Sequence, residues 1–356
     1  MSDQPSLAGA SGPPPTRSEL LTGSGPPGRA EPPGRPGAAG GGGGGSAISG
    51  ASVRPADRIF RLLSASAGTM VLLIMAAIAA FLIYRAIPAL GHDTENFFTF
   101  SKWDPDGSPS RFGIGALLYF TLVTSAIAMV LAVPVAIGIA LFITYYAHRR
   151  ASHGLAYVVD LLAAVPSIVY GLWGFSFLAP HLDGLVIWLD KYLGWIGLFD
   201  YRPDNKPSNF SPFTAGIVLA IMVLPIISSI SREVFRQVPR EQVEAAQALG
   251  ATRWEMIRMS VLPFGRPGVL SASILGLGRA LGETLAVTLV LSNSYDINLH
   301  VTENGGVTFA SNIALKYGEA GPIGSGALIA AGLCLFVITL AVNFSAGLII
   351  RRQPGA

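Results

Sequence analysis

Apolar positions in this chain do not alternate with polar ones; they arrive in long uninterrupted blocks. Residues 62–84 give 23 positions free of Asp, Glu, Lys and Arg, residues 112–147 give 36, residues 161–182 give 22, residues 207–231 give 25 and residues 320–350 give 31. About 20 apolar residues carry an α-helix across the hydrocarbon core of a bilayer, so each block predicts a spanning helix. A further block, residues 267–295, is interrupted only by Arg279 and Glu283 and completes a set of six. The apolar pieces 184–189 and 192–199 are too short to cross. With Trp188 and Trp195 flanking Asp190 and Lys191, they predict an interfacial helix. The pattern defines an all-α fold class: a polytopic membrane protein with six transmembrane helices.

Composition agrees with that pattern and closes other routes. Of 356 residues, 51% are hydrophobic and 13% charged, against about 25% charged in an average soluble domain. Charge this sparse cannot solvate two globular cores, which excludes a soluble enzyme and a wholly disordered chain. Cys334 is the single cysteine, so no intrachain disulfide or multi-Cys metal site exists, and in its apolar run it reads as a small packed side chain. The five histidines are scattered with no metal-ligand spacing. Residues 1–50 hold 14 Gly and 9 Pro, too little apolar surface to offset ordering entropy. Residues 1–52 are therefore expected to be a disordered Gly/Pro-rich tail, with the permeation domain in residues 53–356.

Orientation follows from Lys and Arg in the connections. With the N-terminus inside, thirteen basic residues fall in inner segments and seven, among them Arg85, Lys102, Arg111 and Lys316, in outer loops. Acids run the other way, with eleven outside and six inside. Both termini are expected in the cytoplasm, as an even number of spans requires.

The longest inner connection, residues 232–266, has the marks of two short helices. Pro239 suits a first helical position, and Glu241 and Glu244 favour the positive end of the helix dipole. Val243, Ala246 and Leu249 recur at helical spacing, and Gly250 stands where a C′ glycine ends a helix. Thr252 and Glu255 form a Thr-x-x-Glu capping box for a second helix, expected to run to Leu262-Pro263. The result is an elbow over residues 239–263 bent at Gly250. Either it only covers the helix ends or it presents a docking element.

These residues carry a resemblance. Glu244-Ala245-Ala246, then Gly250, then Leu262-Pro263 resembles the EAA signature of the binding-protein-dependent ABC-importer permeases, with Ser260 where that family usually has Ile. The segments Gly278-Arg279-Ala280-Leu281-Gly282-Glu283-Thr284-Leu285-Ala286-Val287 and Ala164-Val165-Pro166-Ser167-Ile168-Val169-Tyr170-Gly171-Leu172-Trp173 are similar to those of its phosphate-importer permeases of the PstC type. The resemblance covers residues 112–350 and the first span more loosely. It implies a type I ABC-importer (MetI-like) permease fold, with the elbow as the coupling helix that docks on a separate ATPase. Coupling would fall to Glu244, Ala245, Ala246, Gly250, Leu262 and Pro263. The implied partners are a homologous PstA permease forming a heterodimer, two copies of a PstB ATPase that bind the ATP and Mg, and an extracytoplasmic PstS phosphate-binding protein. No cofactor is implied in this chain.

The charges inside the fifth block are the candidate substrate contact. Arg279 lies 12 residues beyond Pro267, so at 1.5 Å per residue it sits about 18 Å along the helix, near mid-bilayer. An Arg at that depth costs about 2.5–3.5 kcal/mol on insertion scales and must face protein or water. Glu283, at i+4, is expected on the same helical face, and Gly278 with Gly282 gives a spacing suited to a second helix. The pair either offsets its own burial or presents a guanidinium fork to an oxyanion in the translocation path. Pro166 must kink or interrupt the third span, where Ser167 and Gly171 could open polar backbone to the path.

None of the four lysines sits in a P-loop pattern, and neither His-Glu-x-x-His nor Gly-x-Ser-x-Gly occurs. ATP hydrolysis, if it drives this protein, is expected on another chain. The function expected is the permease subunit of an ATP-driven phosphate importer. The alternatives are a permease for another oxyanion such as sulfate or molybdate, an intramembrane enzyme, or a passive channel.

Overall fold

The computed structural model describes residues 55–199 and 210–351. The expected tail, residues 1–52, lies outside the described residues, as do Asp200, Arg202, Asp204 and Lys206 of the charge-sidedness argument. The chain divides into two units, 1–62 and 63–356. Of the first, only the opening turns of the first helix are described; everything below concerns the second.

In chain order the helices are α1 (Pro55–Leu90), α2 (Gly115–Tyr146), α3 (Arg149–Ala163), α4 (Ser167–His181), α5 (Asp183–Leu193), α6 (Pro212–Arg236), α7 (Arg240–Ala248), α8 (Arg253–Leu281), α9 (Leu285–Val290), α10 (Phe309–Lys316) and α11 (Pro322–Arg351). Five of them are long and apolar enough to cross a membrane, and the bent pair α3–α4 would make a sixth. The expected six spans are thus present, but two of them are not straight rods. The third turns through 91° between α3 and α4, and the fifth stops at Leu281 before restarting as α9. A two-stranded antiparallel ribbon, β1 (Trp103–Asp104) and β2 (Arg111–Phe112), closes the loop after α1; no hydrophobic alternation in the sequence foretold so short a pair.

The bundle is centred on α6. Ser211 caps it, accepting from the Thr214 N–H at 3.3 Å, and Pro212 takes the first turn, where no backbone donor is lost. Ala128, Ala132, Ala136 and Ala140 recur every fourth position on α2, each fully buried. This stripe of small side chains lets α2 lie close along α6, and Gly216 on α6 meets Ile127. On its other side α6 packs antiparallel to α8, with the glycines of α8 setting the register: Gly265 against Phe235, Gly268 against Val234 and Gly276 against Ile227. Among lipid tails no hydrophobic drive brings helices together, so these close backbone approaches supply the van der Waals contact that does. Gly278 and Gly282, the pair expected to admit another helix, meet no other helix among the described residues.

The element expected to be interfacial is a helix, as predicted. α5 runs unbroken through Asp190 and Lys191, with the Trp188 and Tyr192 rings one turn apart at 5.1 Å and the Lys191 ammonium 5.5 Å from the Tyr192 ring. Asp190 and Lys191, near the C-terminal end of this 11-residue helix, do not break it.

Candidate substrate pathway and coupling elbow

The third span is interrupted because Pro166 has no N–H to continue α3. The helix tightens as it ends: the Ala164 N–H donates to the Leu161 carbonyl at 3.1 Å and Val165 to Leu162 at 3.2 Å. Pro166 then adopts φ −59°, ψ 138°, and α4 starts at Ser167. The Tyr170 hydroxyl donates back across the break to the Leu162 carbonyl at 2.8 Å. The elements on either side are thereby held at their angle.

The fifth span breaks by a different route. Gly282 caps α8, its N–H donating to the Gly278 carbonyl at 3.3 Å. Glu283 and Thr284 lie outside any helix. The Glu283 carboxylate accepts from the Ala286 N–H at 3.3 Å, at the start of α9. Glu283 therefore does not sit one turn above Arg279 on a continuous face, as its i+4 spacing predicted, because the helix ends between them. Among the described residues the ion pairs are Arg111–Glu95, Arg232–Asp160 and Arg236–Glu233, and Arg279–Glu283 is not one of them. Its backbone amide bond occupies the carboxylate instead.

The two breaks meet. A Cβ on Gly171 would fall 2.7 Å from the Ala286 Cα and 3.0 Å from Leu289 Cδ1, so α4 lies directly on α9. Depth follows from the α6–α8 register. Gly276 is level with Ile227, so Arg279, one turn on, is level with the middle of α6 (Pro212–Arg236). α8 itself ends two residues later. Arg279, Gly282, Pro166 and Leu285 are all exposed on this chain, with Ser167 and Glu283 half-buried. A guanidinium exposed at mid-depth on an otherwise apolar bundle cannot face lipid tails without the cost already given. That face is covered by protein or lined with water.

The elbow forms as the capping residues require. α7 ends in a Schellman motif: the Ala251 N–H donates to the Ala246 carbonyl at 3.2 Å and Gly250 to Gln247 at 2.9 Å, with Gly250 at φ +84°. Thr252 and Glu255 make the predicted box. The Thr252 N–H donates to Glu255 Oε2 at 2.8 Å, and the Glu255 N–H to Thr252 Oγ1 at 3.3 Å. Pro239 is the N-cap, one position before the place expected for it. The larger correction is that the second helix does not stop at Leu262-Pro263. A π-type turn over Ile257–Val261, in which Leu262 N–H bonds the Ile257 carbonyl, widens the helix just ahead of Pro263. The proline ring then passes without its usual clash, and the elbow runs straight into the fifth span. Val243 and Ala246 pack onto the core, whereas Leu249, on the same spacing, is 90% exposed, with Trp254 and Met259 also outward. A groove lined by Gln242, Ala245, Ala246, Leu249, Met259 and Pro263 lies between the two arms.

Apolar spans around a central helix, two of them broken at the same depth beside an exposed arginine, and a capped amphipathic elbow define a multi-pass membrane permease. Residues 132–353 match the family described as binding-protein-dependent transport system inner membrane component. The chain is 48% identical over 305 residues to "Phosphate transport system permease protein PstC 2" of Mycobacterium tuberculosis, covering 84% of this chain and 94% of that one. It is 51% identical over 267 residues to the PstC of Mycobacterium leprae (74% and 84%) and 39% identical over 298 residues to that of Xylella fastidiosa (83% and 91%). Among solved structures it is similar to a chain of a bacterial alginate ABC transporter in complex with its alginate-bound periplasmic protein (20% identity, TM-score 0.48, 83% of this chain and 98% of that one). Another is the inward-facing MetNI methionine ABC transporter (17%, TM-score 0.45, 67% and 93%). The chain belongs to the binding-protein-dependent permease family, alongside the PstC proteins.

Proposed function

We propose that this chain is the phosphate-translocating permease of an ATP-driven importer, working as a heterodimer with a PstA-type permease. One observation carries the reading: Arg279 stands exposed at mid-depth, where the breaks of the third and fifth spans meet. A guanidinium is a fixed cation with a planar fork of donors that matches two oxygens of a phosphate. Broken helices supply polar backbone at a depth where it is tolerated only beside protein or water. The second permease would cover this face and close the path, with Ser167 and Glu283 beside the anion. Glu283 keeps the empty site near neutral, which favours release over retention.

The elbow would dock through Glu244, Ala245, Ala246, Gly250, Leu262 and Pro263 on one of two PstB-type ATPase copies, which bind ATP and Mg. The outer loops would receive a PstS-type binding protein. This places both termini in the cytoplasm, in line with the basic residues Arg149, Arg150, Arg236, Arg240, Arg253 and Arg258 at the elbow end. The relatives' names support phosphate over other oxyanions. The test is ATP-dependent uptake of labelled phosphate by the complex reconstituted in liposomes, with sulfate as competitor. Uptake that survives excess sulfate and is lost in Arg279→Ala is the expected result. Strong sulfate competition would move the assignment to another oxyanion, and normal uptake by Arg279→Ala would remove Arg279 from the path.

A further inference from the structure

The elbow end of α6 holds a second guanidinium with unused donors. Arg232 is buried, and its Nη2 donates to both carboxylate oxygens of Asp160 on α3, each at 3.0 Å. That bond uses one nitrogen of three. Nε and Nη1 are buried without a partner, and so are the hydroxyls of Ser228, one turn earlier on the same face of α6, and of Ser231 beside it. Some buried hydroxyls of the bundle satisfy themselves on the preceding turn, as Thr121 does on Leu117 and Thr124 on Phe120, while Ser125 and Ser292 are also without a partner but stand apart from any cation. Ser228 and Ser231 do not. Buried donors without acceptors are rare in folded proteins and point to an acceptor that comes and goes. The set joins a fixed cation to two hydroxyls that can donate, so it suits an oxyanion and not a cation.

Position gives the cluster a role. Arg279 is level with the middle of α6, about eight residues before Arg232 along that helix, so the two arginines are separated by about 12 Å along its axis. Asp160 is half exposed where Arg232 is buried, so the carboxylate covers the guanidinium from the open side. Asp160 also lies four residues before Ala164, where α3 ends at the break, and Arg232 lies one turn before Arg236, the last residue of α6 ahead of the elbow.

We infer that Arg232, Ser228 and Ser231 form a second oxyanion-binding station at the elbow end of the path, held shut in this state by the Asp160 carboxylate. The inference rests on the phosphate-permease reading. A translocated anion leaving the Arg279 level exchanges with Asp160 for the guanidinium and is expelled when the pair re-forms. The carboxylate thus acts as a built-in competitor that keeps the station from trapping its cargo.

The test is binding of radiolabelled inorganic phosphate to the assembled permease–ATPase complex in nanodiscs, measured by equilibrium dialysis without the binding protein. Asp160→Asn removes the competing charge and is expected to tighten phosphate binding about tenfold, or roughly 1.4 kcal/mol, and to slow release during turnover. Arg232→Lys or the double change Ser228→Ala, Ser231→Ala in that background should abolish the gain, while Arg279→Ala should leave it. The reversed pair, Asp160→Arg with Arg232→Asp, restores an ion pair and preserves assembly, and should not bind phosphate. If Asp160→Asn binds no more phosphate than the wild type, or if its gain survives Arg232→Lys, the pair is structural only and the inference is overturned. Uptake by Arg279→Ala tests the pathway reading separately, since dialysis of the Asp160→Asn complex does not depend on it.

Discussion

Gly171 and Ala286 touch backbone to backbone: a Cβ added at 171 would sit 2.7 Å from the Ala286 Cα. That contact joins the restart of the third span to the restart of the fifth.

Gly171→Ala should therefore impair transport while leaving the spans intact. The clash is with backbone, which cannot rotate away, so α4 and α9 must part, at a cost of about 1–3 kcal/mol for overpacking. Reduced phosphate uptake with a lowered melting temperature of the purified complex is expected. Unchanged uptake would show that the two breaks need not touch.

Arg279→Lys keeps the charge and loses the fork. Uptake should fall by at least about tenfold relative to wild type, since a compact ammonium cannot hold two phosphate oxygens at once. Arg279→Ala should abolish uptake while the chain still folds, since Arg279 is exposed on this chain and packs into none of its core; pull-down of the partner subunits checks that assembly persists.

At Gly250, φ is +84° and a Cβ would meet nothing within 4 Å. The cost of Gly250→Ala is thus purely conformational, about 1–2 kcal/mol for a non-glycine residue in the left-handed region. Gly250→Asn should cost less. Both should lower ATP-coupled uptake in that order, read as transport per ATP hydrolysed, with the path itself unaltered.

Asp106 caps the last span from a distant loop. Its carboxylate accepts from the Gly321 and Gly324 N–H groups, each at 2.9 Å, at the start of α11. Asp106→Ala removes both acceptors and should destabilise the complex by about 1 kcal/mol, measured by thermal unfolding; an unchanged melting temperature would show that solvent replaces the cap.

Burial pushes the Tyr295 phenol up to about 12, and its hydroxyl donates to Asn312 Oδ1 at 2.6 Å, tying the loop before α10 to that helix. A group that holds its proton more tightly when folded stabilises fully below its unfolded value and loses that contribution as pH rises through the window from about 10 to about 12. Protease protection of residues 291–308 should decline only above about pH 10 in the wild type. Tyr295→Phe should abolish that pH step.

Much of this protein is written locally. A charge-free block long enough to span, a Thr-x-x-Glu box and a glycine after an amphipathic turn each act through neighbours within a few residues, so the spans, the capped elbow and the bend at Gly250 were legible before any coordinates. The level of Arg279 along its helix was legible for the same reason, being helical rise multiplied by residue count. The α8 break and the Arg279–Glu283 geometry were not. Spacing at i+4 assumes a continuous helix, and whether Gly282 ends one depends on α9 finding α4 to pack against. The run through Pro263 likewise turned on a π-type widening at Ile257–Val261 that no residue type announces. The buried Arg232–Asp160 contact joins residues 72 apart, and nothing in either neighbourhood marks it. The chain by itself determined which segments cross the membrane and where they are capped, because hydrophobic length and capping are short-range physics. Only the tertiary structure decided which spans break, which glycines face a neighbour and which arginine is exposed or buried, because those depend on the register of one helix against another.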